Sequence, residues 1–160
     1  MNTYGYAFAP PAFREFCQRD ETLCSTRGGD GIVELTAALG AELRVVNHSV
    51  NTRIRERSDM ATAGKADDWR LASTEGDCED FAITKKKELL ERGWPASALL
   101  LTVVRPRFSD AGHTVLTVRT SKGDLILDSL APRVKPWSAT SYRFFARQSP
   151  HGGKEWERLS

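Results

Sequence analysis

The sequence is poor in the residues on which many metal and cofactor sites depend. It has three cysteines and three histidines in 160 residues, and no Cys-x-x-Cys or histidine pair has the spacing of a zinc site. It also has no apolar run long enough to cross a bilayer, no internal repeat and no low-complexity tract. These absences argue against a zinc protein, a repeat array and a membrane-spanning protein, and no organic cofactor is predicted.

The sequence also has no large excess of positive or negative charge. The formal net charge is +2, from 23 basic and 21 acidic residues, and the basic residues are scattered. The lysines at 85, 86 and 87 form a short run that we interpret as a solvated helix face, so no nucleic-acid partner is predicted. The length fits one domain over residues 1–160 with a catalytic core over residues 66–130.

The first ten residues have neither a basic segment nor an apolar segment of the length found in signal peptides. Two interpretations follow from this composition. The chain is either the mature form of an exported protein with a start methionine added, or a protein that stays in the cytoplasm.

One cysteine lies at a predicted helix start among acidic residues, in Gly76-Asp77-Cys78-Glu79-Asp80. Asp77 has the character of an N-cap, which makes Cys78 the first helical residue. Basic residues follow later in the run, and the glycine at 93 and the proline at 95 predict its end. A thiol attacks as thiolate, so a catalytic cysteine needs a base and a group that orients the base.

The three histidines make the search for a base short. His48 falls off the apolar face of a predicted helix, and His151 lies in a turn-like Ser-Pro-His-Gly-Gly segment, so both are interpreted as exposed. His113 instead opens a β-rich run that ends at the predicted turn over residues 121–123. The returning strand ends at Asp128, and the hairpin brings the ends remote from the turn together.

Each of these residues alone has an ordinary explanation. A cysteine at a helix start is more often a buried inert thiol, His113 fits a satisfied strand histidine, and Asp128 fits a strand end. In the order Cys78, His113, Asp128, however, they fit a nucleophile, a base and an orienting carboxylate. We therefore predict a catalytic triad.

The acidic residues around Cys78 conflict with that role. A carboxylate about 6 Å from the sulfur disfavours the thiolate by roughly 2–3 kcal/mol at an effective dielectric near 20, whereas a helix N-terminus contributes at most about 2 kcal/mol. A bound divalent cation removes the conflict, and Ca²⁺ suits carboxylate oxygens. The alternative is a solvated first turn whose acids favour the helix dipole, and it stays open.

The sequence resembles the bacterial transglutaminase-like cysteine peptidases. The matching segments are residue 69 with 76–81, then 93–95, 99–105, 112–116, 125–130, 136–137, 142 and 147–149, preceded by a helix with matches at 43, 46–47, 50–51 and 54. The resemblance implies a papain-like, transglutaminase-like fold and a Cys-His-Asp triad. The triad carries over to Cys78, His113 and Asp128.

The resemblance also implies a metal and partners. A characterised member is a calcium-dependent periplasmic protease that releases a surface adhesin and is held inactive by an inner-membrane cyclic-di-GMP receptor. The acids that bind its metal match Asp77, Glu79 and Asp80. By analogy with transglutaminases, Trp69 is a candidate oxyanion donor, or else lines the groove, whereas the backbone N–H of Cys78 is the better donor on physical grounds.

Cys17 and Cys24 enclose a short segment after two prolines. With no zinc-like partner set, a small disulfide-closed loop fits them best, and family relatives carry a similar early pair. Two reduced cytoplasmic thiols are the alternative. The expected disulfide favours the exported, periplasmic interpretation.

These observations predict an α+β protein in which a cysteine-bearing helix packs on an antiparallel sheet that carries the histidine and the aspartate. We expect a long helix over residues 35–57 and strands over residues 99–105, 113–120, 124–128 and 142–148. The predicted function is a cysteine endopeptidase acting on a protein substrate through a thioester. The alternatives are an acyltransferase with the same triad and a receptor-binding module of the same fold without turnover.

Overall fold

The computed structural model describes residues 1–29, 31–60, 77–107 and 112–159, without the side chains of residues 55–60 and 77. Across these residues, one short strand is followed by the four helices and then by the other six strands of one antiparallel sheet, and this segregation confirms the predicted α+β class. The helices are α1 (Pro11–Arg19), α2 (Glu21–Cys24), α3 (Ala37–Met60) and α4 (Asp77–Glu91). The strands are β1 (Thr3–Ala7), β2 (Leu99–Pro106), β3 (His113–Thr120), β4 (Gly123–Leu127), β5 (Lys135–Pro136), β6 (Tyr142–Gln148) and β7 (Trp156–Leu159).

Within the described ranges the strands form a seven-stranded sheet in the order β1-β7-β6-β2-β3-β4-β5, and every neighbouring pair is antiparallel. The four predicted strands are confirmed within one or two residues. Sequence patterns missed β1, β5 and β7, which are short or lie near the sheet edges. Strands β2 and β3 lie at the centre, so that both of their faces are covered.

The predicted long helix is α3, and its apolar stripe is buried. Leu43, Val46, Val50 and Ile54 are at most 2% exposed and belong to the main core. His48 is exposed, as its position off that stripe predicts. Helix α3 therefore contributes one face to the core and the opposite face to solvent.

Helix α4 ends where the sequence predicts. Gly93 has φ = +95°, a conformation that favours glycine, and the backbone N–H groups of Gly93 and Trp94 donate to the carbonyls of Leu90 and Leu89. This is a Schellman motif. It turns the chain out of the helix and into the run that leads to β2.

The prediction of a solvated lysine face on α4 is wrong for two of its three residues. Lys85 and Lys86 are fully buried, whereas Lys87 is exposed. The physical reason is that α4 contacts α2, α3, β2 and β3, so most of its circumference is covered by protein. Lysines on the covered part of such a helix, here Lys85 and Lys86, have no solvent to face.

The N-terminal helices are joined covalently. Cys17 of α1 and Cys24 of α2 form a disulfide with Cα atoms 5.5 Å apart, and both side chains lie in the main core. Among the described helices, none combines the length and the hydropathy required to cross a bilayer.

Candidate active site

Cys78 lies in the first turn of α4, where the backbone N–H groups of a helix have no partner within the helix. The helix begins at Asp77, one residue before the predicted start. The thiol of Cys78 is half-buried and donates a hydrogen bond to Glu79 Oε2 at 3.3 Å. The backbone N–H of Thr114 also donates to the sulfur. Because Thr114 follows His113 in β3, the helix start and the strand start meet at the sulfur.

The environment of Cys78 favours the protonated thiol. Burial, the negative charge of Glu79 and the hydrogen bond to its carboxylate together raise its pKa to about 12, and burial is the largest cause. The backbone N–H groups of Thr114 and Glu79 lower the pKa but are outweighed. The predicted conflict between the acidic residues and a Cys78 thiolate is therefore present, and among the described side chains Glu79 is the acid that causes it.

His113 and Asp128 meet as the hairpin predicts. Strands β3 and β4 pair from Thr120 opposite Gly123 to Leu116 opposite Leu127, and Asp128 follows the last pair. His113 Nε2 lies 2.7 Å from Asp128 Oδ1, and both side chains are buried. The two residues are therefore hydrogen-bonded at the end of the hairpin remote from its turn.

The carboxylate of Asp128 is ionised. Burial acts to raise its pKa, but hydrogen bonds from His113, Tyr142 and the backbone N–H of Leu130 lower it overall. An ionised carboxylate only accepts hydrogen bonds, so the proton in the 2.7 Å contact lies on His113 Nε2. The remaining ring nitrogen, Nδ1, is then the one that accepts a proton.

A cleft of about 510 Å³ opens beside these residues. Its lining includes Pro10, Pro11 and Ala12 from the segment that begins α1, and Glu79, Val103, His113 and Thr114 from around the candidate site. The cleft therefore brings a surface of mixed apolar and polar character next to the imidazole and the first turn of α4. A chain lying in it would pass close to Cys78.

A family model described as bacterial transglutaminase-like cysteine proteinase matches residues 3–160. The chain belongs to this family. The resemblance stated on the sequence is thereby confirmed.

Solved structures of Legionella pneumophila LapG share the fold. The EGTA-treated structure is 26% identical with a TM-score of 0.50, and the match covers 66% of this chain and 62% of that one. The calcium-bound structure is 24% identical with a TM-score of 0.53, and the match covers 77% of each chain. This similarity confirms the transglutaminase-like fold, although the chain spans only about three fifths of the EGTA-treated LapG. No curated protein matches the chain.

The acidic residues of this family member lie in different environments. Glu79 is half-buried against the thiol, Asp80 is 1% exposed, and the side chain of Asp77 lies outside the description. Among the described residues, no group of three His, Cys, Asp or Glu side chains is arranged to hold a metal ion. Two described carboxylates supply the right kind of oxygen for Ca²⁺ but fewer than the roughly 6–8 oxygens that it takes.

The sequence analysis assigned no role to two residues that contact Asp128, the predicted orienting carboxylate. Tyr142, the first residue of β6, donates from its hydroxyl to Asp128 Oδ2 at 2.6 Å. Asn51 of α3 donates from Nδ2 to the backbone carbonyl of Asp128 at 3.1 Å. Asn51 carried a signal, because it is an amide inside a helical segment whose neighbours are buried. The predicted Trp69 lies outside the described residues.

Proposed function

We propose that the chain is a cysteine endopeptidase in which Cys78 is the nucleophile, His113 the base and Asp128 the orienting carboxylate. The observation that carries the proposal is the 2.7 Å contact between His113 Nε2 and Asp128 Oδ1 at the start of β3. The residue after His113 is Thr114, and its backbone N–H donates to the sulfur of Cys78. Membership of a cysteine proteinase family supports the same assignment.

In the first step, Sγ of Cys78 bonds to the carbonyl carbon of a peptide while its proton passes to His113 Nδ1. Collapse of the tetrahedral intermediate breaks the C–N bond, and His113 returns the proton to the leaving amine. Water then attacks the thioester and gives a proton to the same nitrogen, which passes it to the departing sulfur. The products are a carboxylic acid, an amine and the restored thiol.

Two features of the fold support these steps. The bond from His113 Nε2 to Asp128 fixes the tautomer in which Nδ1 is basic, and it stabilises the imidazolium that forms. The backbone N–H of Cys78 has no partner within the helix, so it is suited to donate to the oxyanion of the intermediate. The neighbouring cleft of about 510 Å³ suits an extended stretch of polypeptide.

We further propose that Asp77, Glu79 and Asp80 contribute to a Ca²⁺ site. The support is the carboxylate chemistry of this first turn and the calcium-bound state of LapG, which shares the fold. Because Ca²⁺ takes roughly 6–8 oxygens, backbone carbonyls and water would have to complete the coordination begun by these three side chains. A divalent cation there would offset the negative charge beside the sulfur.

The proposed location is the periplasm. The support is the Cys17–Cys24 disulfide, since structural disulfides persist in oxidising compartments. We propose a surface protein, such as an adhesin, as the physiological substrate and a membrane receptor as the regulator, both on the family resemblance.

The test of the peptidase uses a library of unstructured peptides in water enriched in ¹⁸O, with the products read by mass spectrometry. Wild-type protein should cut peptides and place ¹⁸O in the new carboxyl groups. Cys78→Ser and His113→Ala should lower the rate about 10³-fold or more. His48→Ala, which changes an exposed histidine, should retain the wild-type rate.

Two other outcomes decide against the peptidase. Incorporation of an added primary amine in place of ¹⁸O would identify an acyltransferase. Absence of any cleavage by the calcium-loaded wild-type protein would favour a binding module.

Calcium binding is tested without turnover, by thermal unfolding with Ca²⁺, with Mg²⁺ and with EGTA. A ligand at about 100 times its dissociation constant stabilises the folded state by about 2.7 kcal/mol. We expect Ca²⁺ to raise the midpoint for wild type and for Glu91→Gln, which changes an exposed acid at the far end of α4. The rise should be lost in Asp80→Asn, and an equal rise in that variant would contradict the proposed site.

A further inference from the structure

The phenol of Tyr142 contacts two members of the proposed triad at once. Its hydroxyl lies 2.6 Å from Asp128 Oδ2, and its ring centroid lies 5.5 Å from that of His113 at an interplanar angle of 47°. The contact depends on the sheet order. Tyr142 of β6 pairs with Pro106 on one edge of β2. His113 of β3 pairs with Val104, two residues earlier, on the opposite edge of β2.

The hydroxyl completes the set of donors to the carboxylate. Oδ1 of Asp128 accepts from His113 Nε2 at 2.7 Å and from the backbone N–H of Leu130 at 3.0 Å, whereas Oδ2 accepts from Tyr142. With donors on both oxygens, rotation of the carboxylate about its Cβ–Cγ bond would break bonds to a charged group. The carboxylate is thereby held with Oδ1 towards the imidazole.

Tyr142 is a donor at any ordinary pH. Burial raises its pKa, and the hydrogen bond and negative charge of Asp128 raise it further, so the phenol keeps its proton. The side of Asp128 next to Tyr142 lines a cavity of about 130 Å³, together with Arg133 and Lys135. A hydroxyl bonded to Oδ2 occupies the place that water from this cavity would otherwise take.

We propose that Tyr142 is a positioning residue of the peptidase site: it holds the Asp128 carboxylate and packs against the His113 ring, so that the imidazole keeps the orientation in which Nδ1 can accept the proton of Cys78. The inference rests on the proposed function for its kinetic consequence. Its structural consequence, the strength of the His113–Asp128 hydrogen bond, does not require turnover.

The test compares wild type with Tyr142→Phe, which keeps the ring and removes the hydroxyl, and with Tyr142→Leu, which removes both. With the peptide found most rapidly cleaved in the library, Tyr142→Phe should lower kcat about 10- to 100-fold with KM unchanged, since the lost bond is to a charged acceptor. Tyr142→Leu should lower kcat further. Tyr6→Phe, at a tyrosine that is 77% exposed on the remote edge strand, should match wild type.

A second readout separates positioning from packing. The His113 Nε2 proton should give a far-downfield NMR resonance that is absent in His113→Ala and broadened or shifted upfield in Tyr142→Phe. An unchanged resonance and an unchanged kcat in Tyr142→Phe would overturn the inference, even where Cys78→Ser abolishes cleavage. If wild type cleaves no peptide, the proposed function fails, and the resonance alone decides the role of Tyr142.

Discussion

Lys86 provides a sharp test of the physical argument, because a lysine with no exposed surface must be costly to ionise. Its Nζ donates to Gln148 Oε1 at 2.9 Å and to the backbone carbonyl of Ser25 at 3.5 Å. Both acceptors are neutral. Burial lowers the pKa of Lys86 to about 7.

The pKa fixes how stability should depend on pH. In the unfolded chain Lys86 has its ordinary pKa of 10.5. As the pH falls from about 10.5 to about 7, the unfolded state binds the proton first, so the free energy of unfolding decreases. Below about pH 7 both states are protonated and the full cost remains, about 3.5 pKa units or roughly 5 kcal/mol.

The perturbation is Lys86→Met, which keeps an unbranched side chain and removes the titrating group. It also removes the hydrogen bonds to Gln148 and Ser25, at about 1 kcal/mol each. Gln148 Oε1 still accepts from the backbone N–H of Leu101 at 2.9 Å, so it does not become unsatisfied. The variant should be about 3 kcal/mol more stable than wild type at pH 5 and about 1 kcal/mol less stable at pH 10, and the two should cross near pH 9.

The assay is urea unfolding followed by tryptophan fluorescence from pH 5 to pH 10, with the disulfide intact. Other groups titrate alike in both proteins, so the difference between them isolates Lys86. Lys87→Met is the matched control, because Lys87 is the exposed neighbour on the same helix and its difference from wild type should be small and independent of pH. A pH-independent difference for Lys86→Met, or lower stability of that variant at pH 5, would show that burial does not disfavour the charged form of Lys86.

Two further predictions concern the thiol and the disulfide. Glu79→Gln should lower the pKa of Cys78 below about 12, because it removes the adjacent charge, so in EGTA the pH midpoint of iodoacetamide labelling should fall. Glu91→Gln should leave that midpoint unchanged, and an equal shift in both variants would contradict the role of Glu79. Replacing both Cys17 and Cys24 by serine should lower the free energy of unfolding by about 2.5 kcal/mol, measured in urea, since the loop they close is short. No loss of stability would contradict a structural role for the disulfide.

The hairpin, and with it the His113–Asp128 contact, was predictable because it is local. A turn at residues 121–123 between two β-rich runs fixes which ends of the strands meet, and the side-chain period of two fixes which residues share a face. Another local signal, Asp77 as an N-cap before a helical run, placed Cys78 at a helix start. Its meeting with Thr114, however, depends on how α4 packs on β3, and no local pattern contains that information.

Tyr142 and Lys86 were beyond the sequence pattern for related reasons. Tyr142 reaches Asp128 only because β6 pairs with one edge of β2 while β3 pairs with the other, which is a property of the sheet order. Lys86 is buried because α4 is enclosed by α2, α3, β2 and β3. A lysine is normally exposed, so residue type alone predicted a solvent-exposed side chain at this position.

Helix α3 connects the two halves of the candidate site. Asn51 donates to the backbone carbonyl of Asp128, and Asn47 donates to the carbonyls of Ala131 and Pro132 at 3.3 and 3.4 Å. Both asparagines are buried, so these bonds are shielded from competing water. The turn that carries the aspartate is therefore fixed to the same helix face that enters the core.

The same helix also packs on α4, which carries Cys78, the proposed nucleophile. Arg53 of α3 is paired with Glu88 of α4, and Glu42 of α3 lies 3.7 Å from Arg92, just beyond the end of α4. These exposed pairs contribute little by themselves, but the packing of α3 on α4 beneath them is part of the main core. One helix thus sets the position of Cys78 through α4 and the position of Asp128 through Asn51. Its displacement would change the distance between the sulfur and the imidazole without altering any residue of the proposed triad.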